Sequence, residues 1–137
     1  MDASVDIGRI RERTRKRSKA LLGAQFRAEV GAFIAVGEAP FWARQMSKQL
    51  DIPENKVSAE LSRFARQNLL TAISDAAWDR RTLYTPAPGS ESYWASALDL
   101  LRRSAAEVGL ETGIDGDRAF ELYCAHVRTD HERQRQT

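Results

Sequence analysis

The spacing of apolar residues along this chain predicts a mainly helical protein. Over 25–36 the apolar residues recur three and four positions apart, which predicts a core helix that Gly37 and Pro40 end. A second helix is predicted over 91–108 from the same kind of spacing. A chain of 137 residues is long enough for one core, or for one core plus appended helices.

The two ends of the chain are more polar. Over 6–22 the sequence predicts a helix, weakened at its start by Gly8, or alternatively a disordered basic arm. Near the other end, 109–116 contains glycines and is predicted to be a linker, after which Asp117 caps a last helix. The tail 131–137 is predicted to be frayed or disordered.

After Asn68 the spacing of apolar residues is no longer that of a helix. Segments 70–74 and 82–85 have the composition of short strands, and 75–81 between them is predicted to be a turn. The apolar pair at 41–42 could add a brief third strand. The sequence therefore predicts a small wing of two or three strands beside the helices.

Just before this wing, two short amphipathic helices are separated by a tight turn. The first is predicted to end at Leu50, the turn carries residues 51–53, and the second helix covers 53–67. The buried face of the second helix is predicted to consist of Val57, Leu61 and Phe64. Helix, three-residue turn and helix is the geometry that places a recognition helix in a DNA major groove.

The run Leu50-Asp-Ile-Pro-Glu-Asn-Lys-Val-Ser-Ala-Glu-Leu61 resembles the turn and recognition helix of the ArsR-like winged-helix repressors. Asp51 stands where glycine is commonest in that family, and aspartate tolerates the left-handed conformation that the turn needs. The resemblance covers about 25–108 and implies a mainly α winged helix-turn-helix with a two- to three-stranded wing sheet and added N- and C-terminal helices. It also implies a homodimeric repressor on a palindromic DNA operator.

On this basis the chain is divided into three predicted parts. Residues 1–22 form a basic N-terminal helix or arm, 23–90 the winged helix-turn-helix DNA-binding domain, and 91–137 the C-terminal helices used for dimerisation. A dimer is predicted to be held by the helix over 91–108 and the N-terminal helix, because a small wing domain would not cover the apolar stripe of Trp94, Leu98 and Leu101. A small-molecule pocket near Trp94 is also conceivable, although the sequence names no polar group for it.

The exposed face of the recognition helix supplies the predicted base contacts. Asn55, Lys56 and Ala59 lie early in the helix, where side chains reach deepest into the groove. Asparagine pairs bidentately with adenine, and lysine with guanine. The alternative is an ordinary solvated helix face, which the helix-turn-helix context disfavours.

Other residues are predicted to hold the DNA backbone. Ser58 and Ser62 are expected to bind phosphates, and Arg63 and Arg66, later in the helix, to contact the backbone. Arg80 and Arg81 at the end of the wing turn are expected to enter the minor groove or clamp its phosphates, or else only to solubilise the hairpin tip. Of the tryptophans in this region, Trp42 is predicted to be core and Trp78 to cap the hairpin or contact a partner.

Charge adds a second candidate surface. The net charge is only +2, but seven bases between Arg9 and Lys19 face a single acid, Glu12. This run is predicted to be either a DNA-contacting element or a dimer helix. We favour DNA contact or steering, because nearly unopposed bases repel one another unless an anion is close.

Several function classes are disfavoured. One cysteine, Cys124, forms no internal disulfide and no cysteine cluster for zinc, and a shared zinc site in the C-terminal segment fits the spacing poorly. The candidate ligands of that site are Cys124, His126, Asp130, His131 and Glu132. No phosphate loop or nucleophile elbow indicates an enzyme, and no cofactor is expected. With no membrane span or secretory signal, a cytoplasmic protein is expected.

The runner-up belongs to a different class, a winged helix used for protein–protein contact, with the basic arm engaging an acidic partner. The polar and basic residues on the recognition-helix face favour DNA over this alternative.

Overall fold

The computed structural model describes residues 6–75 and 81–135, without the side chains of 74, 75 and 128–135. These residues form six helices and a two-stranded antiparallel sheet, which confirms the predicted mainly α winged helix-turn-helix. The helices are α1 (Ile7–Leu22), α2 (Arg27–Val36), α3 (Ala43–Leu50), α4 (Glu54–Arg66), α5 (Glu91–Thr112) and α6 (Gly116–Arg135). The strands are β1 (Leu70–Asp75) and β2 (Arg81–Pro86).

Residues 7–22 form a helix and not a disordered arm. The Asp6 side chain caps α1 by accepting a hydrogen bond from the backbone N–H of Arg9 at 3.1 Å. The helix ends at Gly23, whose φ of 79° is left-handed, a conformation that glycine adopts without penalty. Local capping at both ends thus overcomes the weak helix propensity of Gly8.

The helix-turn-helix forms as predicted. Val57, Leu61 and Phe64 of α4 are fully buried in a first hydrophobic core, built from α2, α3, α4, the wing and the start of α5. Asp51 ends α3 in the left-handed conformation, with φ 55° and ψ 52°. Ile52 in the turn is 2% exposed, so it closes the angle between α3 and α4.

The wing is a two-stranded hairpin, to which the segment before α3 adds a single β-bridge. β1 pairs with β2 from Leu70 opposite Pro86 to Asp75 opposite Arg81. The predicted strand at 41–42 is reduced to one bridge, in which Phe41 and Tyr84 exchange two backbone hydrogen bonds of 2.8 Å. The turn residues 76–80, with Trp78 and Arg80, lie outside the described residues.

A second hydrophobic core joins the outer helices, and the linker that was predicted over 109–116 is confined to 113–115. α5 continues through Gly109 to Thr112 and is ended by Gly113, with φ 78°. Gly109 is a crossing point, because a Cβ there would lie 2.9 Å from the Cβ of Ala119 on α6. A glycine that permits close helix packing has the same sequence appearance as one that ends a helix.

The start and end of α6 also differ from prediction. The cap is Asp115, whose carboxylate accepts from the backbone N–H groups of Asp117 and Arg118 at 3.1 and 3.3 Å. Asp117 instead lies in the first turn of the helix. The predicted frayed tail is helical as far as Arg135. No helix in 6–75 or 81–135 has the length and apolar character needed to cross a bilayer.

The apolar stripe of α5 is covered within the chain. Trp94 belongs to the first core, where its ring meets Phe64 edge to face at 5.0 Å and its Nε1 donates to the Ser90 hydroxyl. Leu101 is 3% exposed in the second core, and Leu98 packs against that core. The stripe therefore no longer argues for pairing of two protomers through α5. α2 and α6 are the elements that contact α5 most extensively.

Candidate nucleic-acid interface

The polar face of α4 is open to solvent. Every residue that the sequence placed on this face is exposed, opposite the buried Val57, Leu61 and Phe64. The exposed residues are Asn55, Lys56, Ser58, Ala59, Ser62, Arg63 and Arg66. Their exposure makes contact with an external partner sterically feasible, and their roles in DNA contact stay predictions.

The rear of α4 is fixed to α2 by an ion pair. Arg27 donates from Nε to Glu60 Oε2 at 2.8 Å, and the two side chains are only 11% and 12% exposed. Arg27 Nη1 also donates to the carbonyl of Leu22 at 2.5 Å, so the guanidinium bridges three elements of the fold. A largely desolvated, multiply bonded pair of this kind constrains orientation more than a surface pair does.

The cations of this face have no counterion in the described part of the chain. Lys56, Arg63 and Arg66 form no ion pair and no side-chain hydrogen bond with the residues of 6–75 or 81–135. The one acid at the start of the helix, Glu54, is exposed as well. The face thus carries an uncompensated positive field.

Sequence reasoning missed two further cations on α3. Arg44 and Lys48 are exposed, lie four residues apart, and likewise have no ion pair among the described residues. In a helix-turn-helix the first helix crosses the DNA backbone while the second enters the groove. Two bases at i and i+4 on the first helix were visible in the sequence and could have added Arg44 and Lys48 to the candidate surface.

Arg81 is held by an aromatic ring. Its guanidinium carbon lies 5.1 Å from the ring centroid of Trp42, a cation–π contact between the start of β2 and the start of α3. Trp42 is therefore half-buried under Arg81 and not a core residue as predicted. Arg81 is a positioned side chain at the base of the wing, whereas Arg80 lies outside the described residues.

The basic run on α1 has a different environment from the one that the sequence indicated. Arg9 and Arg13 both pair with Glu111, the latter at 2.7 Å, and Arg17 contacts both oxygens of Glu107 at 2.7 Å. Hydrogen bonds from Arg17 and Arg13 hold the pKa values of Glu107 and Glu111 below the usual glutamate range. The premise of unopposed charge was wrong, because the opposing acids come from α5.

Two other arginines of α1 bind the end of α3. Arg11 Nη2 donates to the carbonyl of Gln49 at 3.2 Å, and Arg15 Nη2 to those of Leu50 and Asp51 at 3.3 and 3.4 Å. The last carbonyls of a helix lack partners inside it, so these bonds complete α3 where the turn begins. α1 is therefore a support for the helix-turn-helix.

Arg15 also forms a buried ion pair. Its Nε donates to Glu29 Oε1 at 2.5 Å, and the Glu29 side chain is fully buried in α2. Burial raises the pKa of Glu29 above its ordinary value, although Arg15 and Arg11 act in the opposite direction. The hydrogen bond from Arg15 holds the Glu29 carboxylate at a position where its ionised form is poorly solvated.

A metal site finds no support in the described side chains. No group of three or more histidine, cysteine, aspartate or glutamate residues is arranged there to hold an ion. Cys124 is half-buried, and the side chains of Asp130, His131 and Glu132 lie outside the description.

Comparison with known proteins gives structural matches only. No protein-family model matches the chain, and no curated protein matches it in sequence. A mutant of MarR from E. coli is similar with a TM-score of 0.57 and 13% identity, over 90% of each chain. The transcriptional regulator BldR from Sulfolobus solfataricus is similar with a TM-score of 0.56 and 18% identity, over 74% of this chain and 72% of that one.

A probable transcriptional regulator from Pseudomonas aeruginosa is also similar, with a TM-score of 0.55 and 12% identity over 77% of this chain and 80% of its own. At such low identity, the likeness establishes a shared winged-helix fold. It confirms the winged-helix part of the predicted resemblance, while the finer assignment to the ArsR-like repressors stays a prediction.

Proposed function

We propose that this winged-helix chain is a sequence-specific transcriptional regulator that binds double-stranded DNA, with α4 in the major groove. The observation that carries the proposal is the set of cations on the helix-turn-helix that have no ion-pair partner among the residues that the structure describes. These are Arg44, Lys48, Lys56, Arg63 and Arg66. The description of the similar structures as transcriptional regulators supports it.

Position along α4 separates the proposed roles. Asn55, Lys56 and Ala59 would contact base edges from the first turns of the helix, while Arg63 and Arg66 would contact phosphates from its end. Ser58 and Ser62 would add neutral hydrogen bonds to phosphate. The two cations of α3 would bind the backbone at the edge of the groove, and Arg80 and Arg81 would serve the wing.

We further propose a homodimer acting in the cytoplasm as a repressor at a palindromic operator. Two recognition helices must enter successive major grooves, so half-site centres should be one helical turn or a multiple apart. Pairing would use surfaces other than the buried stripe of α5. Leu110, 83% exposed, is the most exposed large apolar side chain in the described structure. Light scattering should give about twice 15.4 kDa, and a strict monomer on and off DNA would contradict the dimer.

The test of DNA reading is competition binding with a selected operator and a scrambled duplex. Asn55→Ala should lose about 1–3 kcal/mol on the operator and little on the scrambled duplex. Arg66→Ala, at the far end of the same helix, should weaken both duplexes by similar factors and reduce the salt slope by about one. Equal losses on both duplexes for Asn55→Ala would contradict the proposed placement of α4.

The alternative is a protein-interaction module whose basic arm binds an acidic partner. It is weakened because the arm is a helix whose arginines already bind Glu111, Glu107, Glu29 and the α3 carbonyls. If neither substitution changed binding to either duplex, this alternative would become the better account.

A further inference from the structure

Trp42 lies at the junction between the wing and the helix-turn-helix. Its neighbour Phe41 is 1% exposed in the first hydrophobic core and exchanges two backbone hydrogen bonds of 2.8 Å with Tyr84 of β2. On the other side, the carbonyl of Trp42 accepts from the backbone N–H of Met46 in α3 at 3.2 Å. The backbone at Trp42 is therefore held by a strand before it and by a helix after it.

The ring of Trp42 restrains the guanidinium of Arg81. The distance of 5.1 Å from the guanidinium carbon to the ring centroid is within the range of a cation–π contact. Among aromatic side chains, tryptophan offers a cation the strongest contact of this kind. Arg81 is the first residue of β2, so the contact orders a cation at the start of this strand, beside α3.

An aromatic ring restrains an arginine differently from a carboxylate. Arg13 and Arg17 of α1 are held by glutamates, which compensate their charge. The face of an indole leaves the positive charge of a guanidinium in place, and stacking uses none of its N–H donors. Ordering a long side chain in advance also lowers the rotamer entropy that it loses when it binds. Trp42 therefore contributes order to Arg81 without neutralising it.

The surroundings of Trp42 indicate which part of DNA Arg81 would meet. Trp42 immediately precedes α3, whose first turn contains the exposed Arg44 and no acidic residue. In a helix-turn-helix the first helix crosses the sugar–phosphate backbone. A guanidinium that lies on Trp42 is held on the α3 side of β2. It is therefore close to the element whose cations, Arg44 and Lys48, are proposed to bind phosphates.

We propose that Trp42 is a positioning residue for DNA binding, which holds Arg81 beside the start of α3 so that its guanidinium contacts a backbone phosphate and does not reach into the minor groove. This inference rests on the proposed DNA-binding function and chooses between the two contacts that the sequence left open for Arg81. The indole acts through the guanidinium, so removing the ring should cost affinity only while Arg81 is present.

The first test is a double-mutant cycle, measured as affinity for a selected operator and for a scrambled duplex. Arg81→Ala should lose about tenfold on both duplexes and reduce the salt slope by about one, as expected of one phosphate contact. Trp42→Leu should lose about threefold or more on both. In the Arg81→Ala background, Trp42→Leu should change affinity by less than about twofold. Trp42→Phe keeps an aromatic face and should restore most of the loss.

Phe120 supplies a matched control. Its ring centroid lies 4.7 Å from the guanidinium carbon of Arg102, in the same kind of contact, but between α5 and α6. Phe120→Leu should leave DNA affinity unchanged. Melting temperatures show whether each variant is folded. A loss in Trp42→Leu that persists in the Arg81→Ala background would assign the ring to packing and overturn the proposal.

A second measurement preserves the shape of the ring. Tryptophans with one to four fluorines, incorporated at position 42 alone, withdraw electron density from the ring face and hardly change its size. DNA affinity should fall stepwise with the number of fluorines in the wild-type background, because the cation–π contact weakens. It should stay level in the Arg81→Ala background. A level series in both backgrounds would overturn the proposal.

Further outcomes separate the inference from the function on which it rests. If the loss in Arg81→Ala were confined to duplexes with A·T-rich flanks, the minor groove would be the contact and the phosphate assignment would be overturned. DNA binding that depends on the cations of α4 but not on Trp42 would leave the proposed function standing and remove this inference. A wild-type chain that binds neither duplex would remove both.

Discussion

Helices α1 and α4 both carry clusters of bases, yet the structure uses them differently. Six of the seven bases between Arg9 and Lys19 contact acids or carbonyls of the same chain. On α4, Lys56, Arg63 and Arg66 have no such partner among the described residues. Local charge density is higher in α1, but the charge that is left for an external anion is higher on α4.

The comparison shows that the number of bases in a segment does not reveal what they bind. Glu107 and Glu111 are about a hundred residues away from α1 in sequence, and only the packing of α5 against α1 brings them opposite the arginines. Paired surface charges contribute little to an external field. The following changes break or sharpen this contrast, beginning with the largest expected effect.

Among the ion pairs of α1, the Arg15–Glu29 pair is expected to contribute most to the stability of the fold. Glu29→Ala should lower the free energy of unfolding by about 3 kcal/mol, because the partly buried Arg15 guanidinium loses its carboxylate and keeps only the carbonyls of Leu50 and Asp51. The raised pKa of Glu29 keeps this loss moderate, since its ionised form already bears a desolvation penalty. Glu12→Ala, in an exposed i,i+4 pair of the same helix, is the control and should change stability by less than about 0.5 kcal/mol. Denaturant titration measures both, and equal losses would contradict the assignment.

Removing the three cations of α4 should weaken DNA binding and leave the stability of the fold unchanged. The triple variant Lys56→Ala, Arg63→Ala, Arg66→Ala should lose on the order of a hundredfold in DNA affinity and about two units of salt slope, since Arg63 and Arg66 are the proposed phosphate contacts. The matched triple variant of α1 replaces Arg9, Arg13 and Arg17 by alanine. It should keep the salt slope and lose stability instead. Comparable loss of slope in both would show that the α1 bases reach DNA despite their internal partners.

A single surface pair of α1 gives a smaller effect. Arg17→Ala should destabilise the chain by about 0.5–1 kcal/mol, because Arg17 binds both oxygens of Glu107 but both side chains remain partly exposed. DNA affinity should not change. Lys19 lies in the last turn of α1 and has no ion pair in the described structure, so Lys19→Ala should change neither stability nor DNA affinity measurably. A loss of DNA affinity in Arg17→Ala alone would contradict the division between the helices.

The smallest effect is a pH dependence. The pKa of Glu107 is lowered by its hydrogen bond from Arg17, so its stabilising contribution is present above the ordinary glutamate value of 4.5 and is lost as pH falls through the lowered folded pKa. Glu107→Gln should therefore lose less stability than the wild type between pH 6 and pH 3. Unfolding titrations across this range provide the measurement, and parallel pH curves would contradict it.

Sequence reasoning succeeded where the determinants are local. The turn at Asp51, the buried face of α4 and the two strands all follow from residues within a few positions of one another. It failed where a partner comes from far along the chain, as for the α1 arginines. The prediction for Gly109 was wrong for the same reason, because the role of this glycine depends on Ala119, which lies across the helix crossing.

The candidate site was predicted in part. The exposed face of α4 followed from periodicity, whereas Arg44 and Lys48 were overlooked although their spacing was visible. The position of Arg81 could not be predicted, because its contact with Trp42 joins residues thirty-nine positions apart.

The Arg27–Glu60 pair has a consequence for how finely DNA could be discriminated. Side-chain tips on a helix lie about 5–6 Å from its axis, so a 20° roll of α4 would displace them by about 2 Å. Hydrogen bonds to bases tolerate only a few tenths of an ångström before they weaken. By resisting roll from the rear, the pair of Glu60 with Arg27 would set the rotation of α4 and, if α4 enters the major groove as proposed, which base edge each exposed side chain meets. Fidelity of readout would then depend on a residue that never touches the nucleic acid.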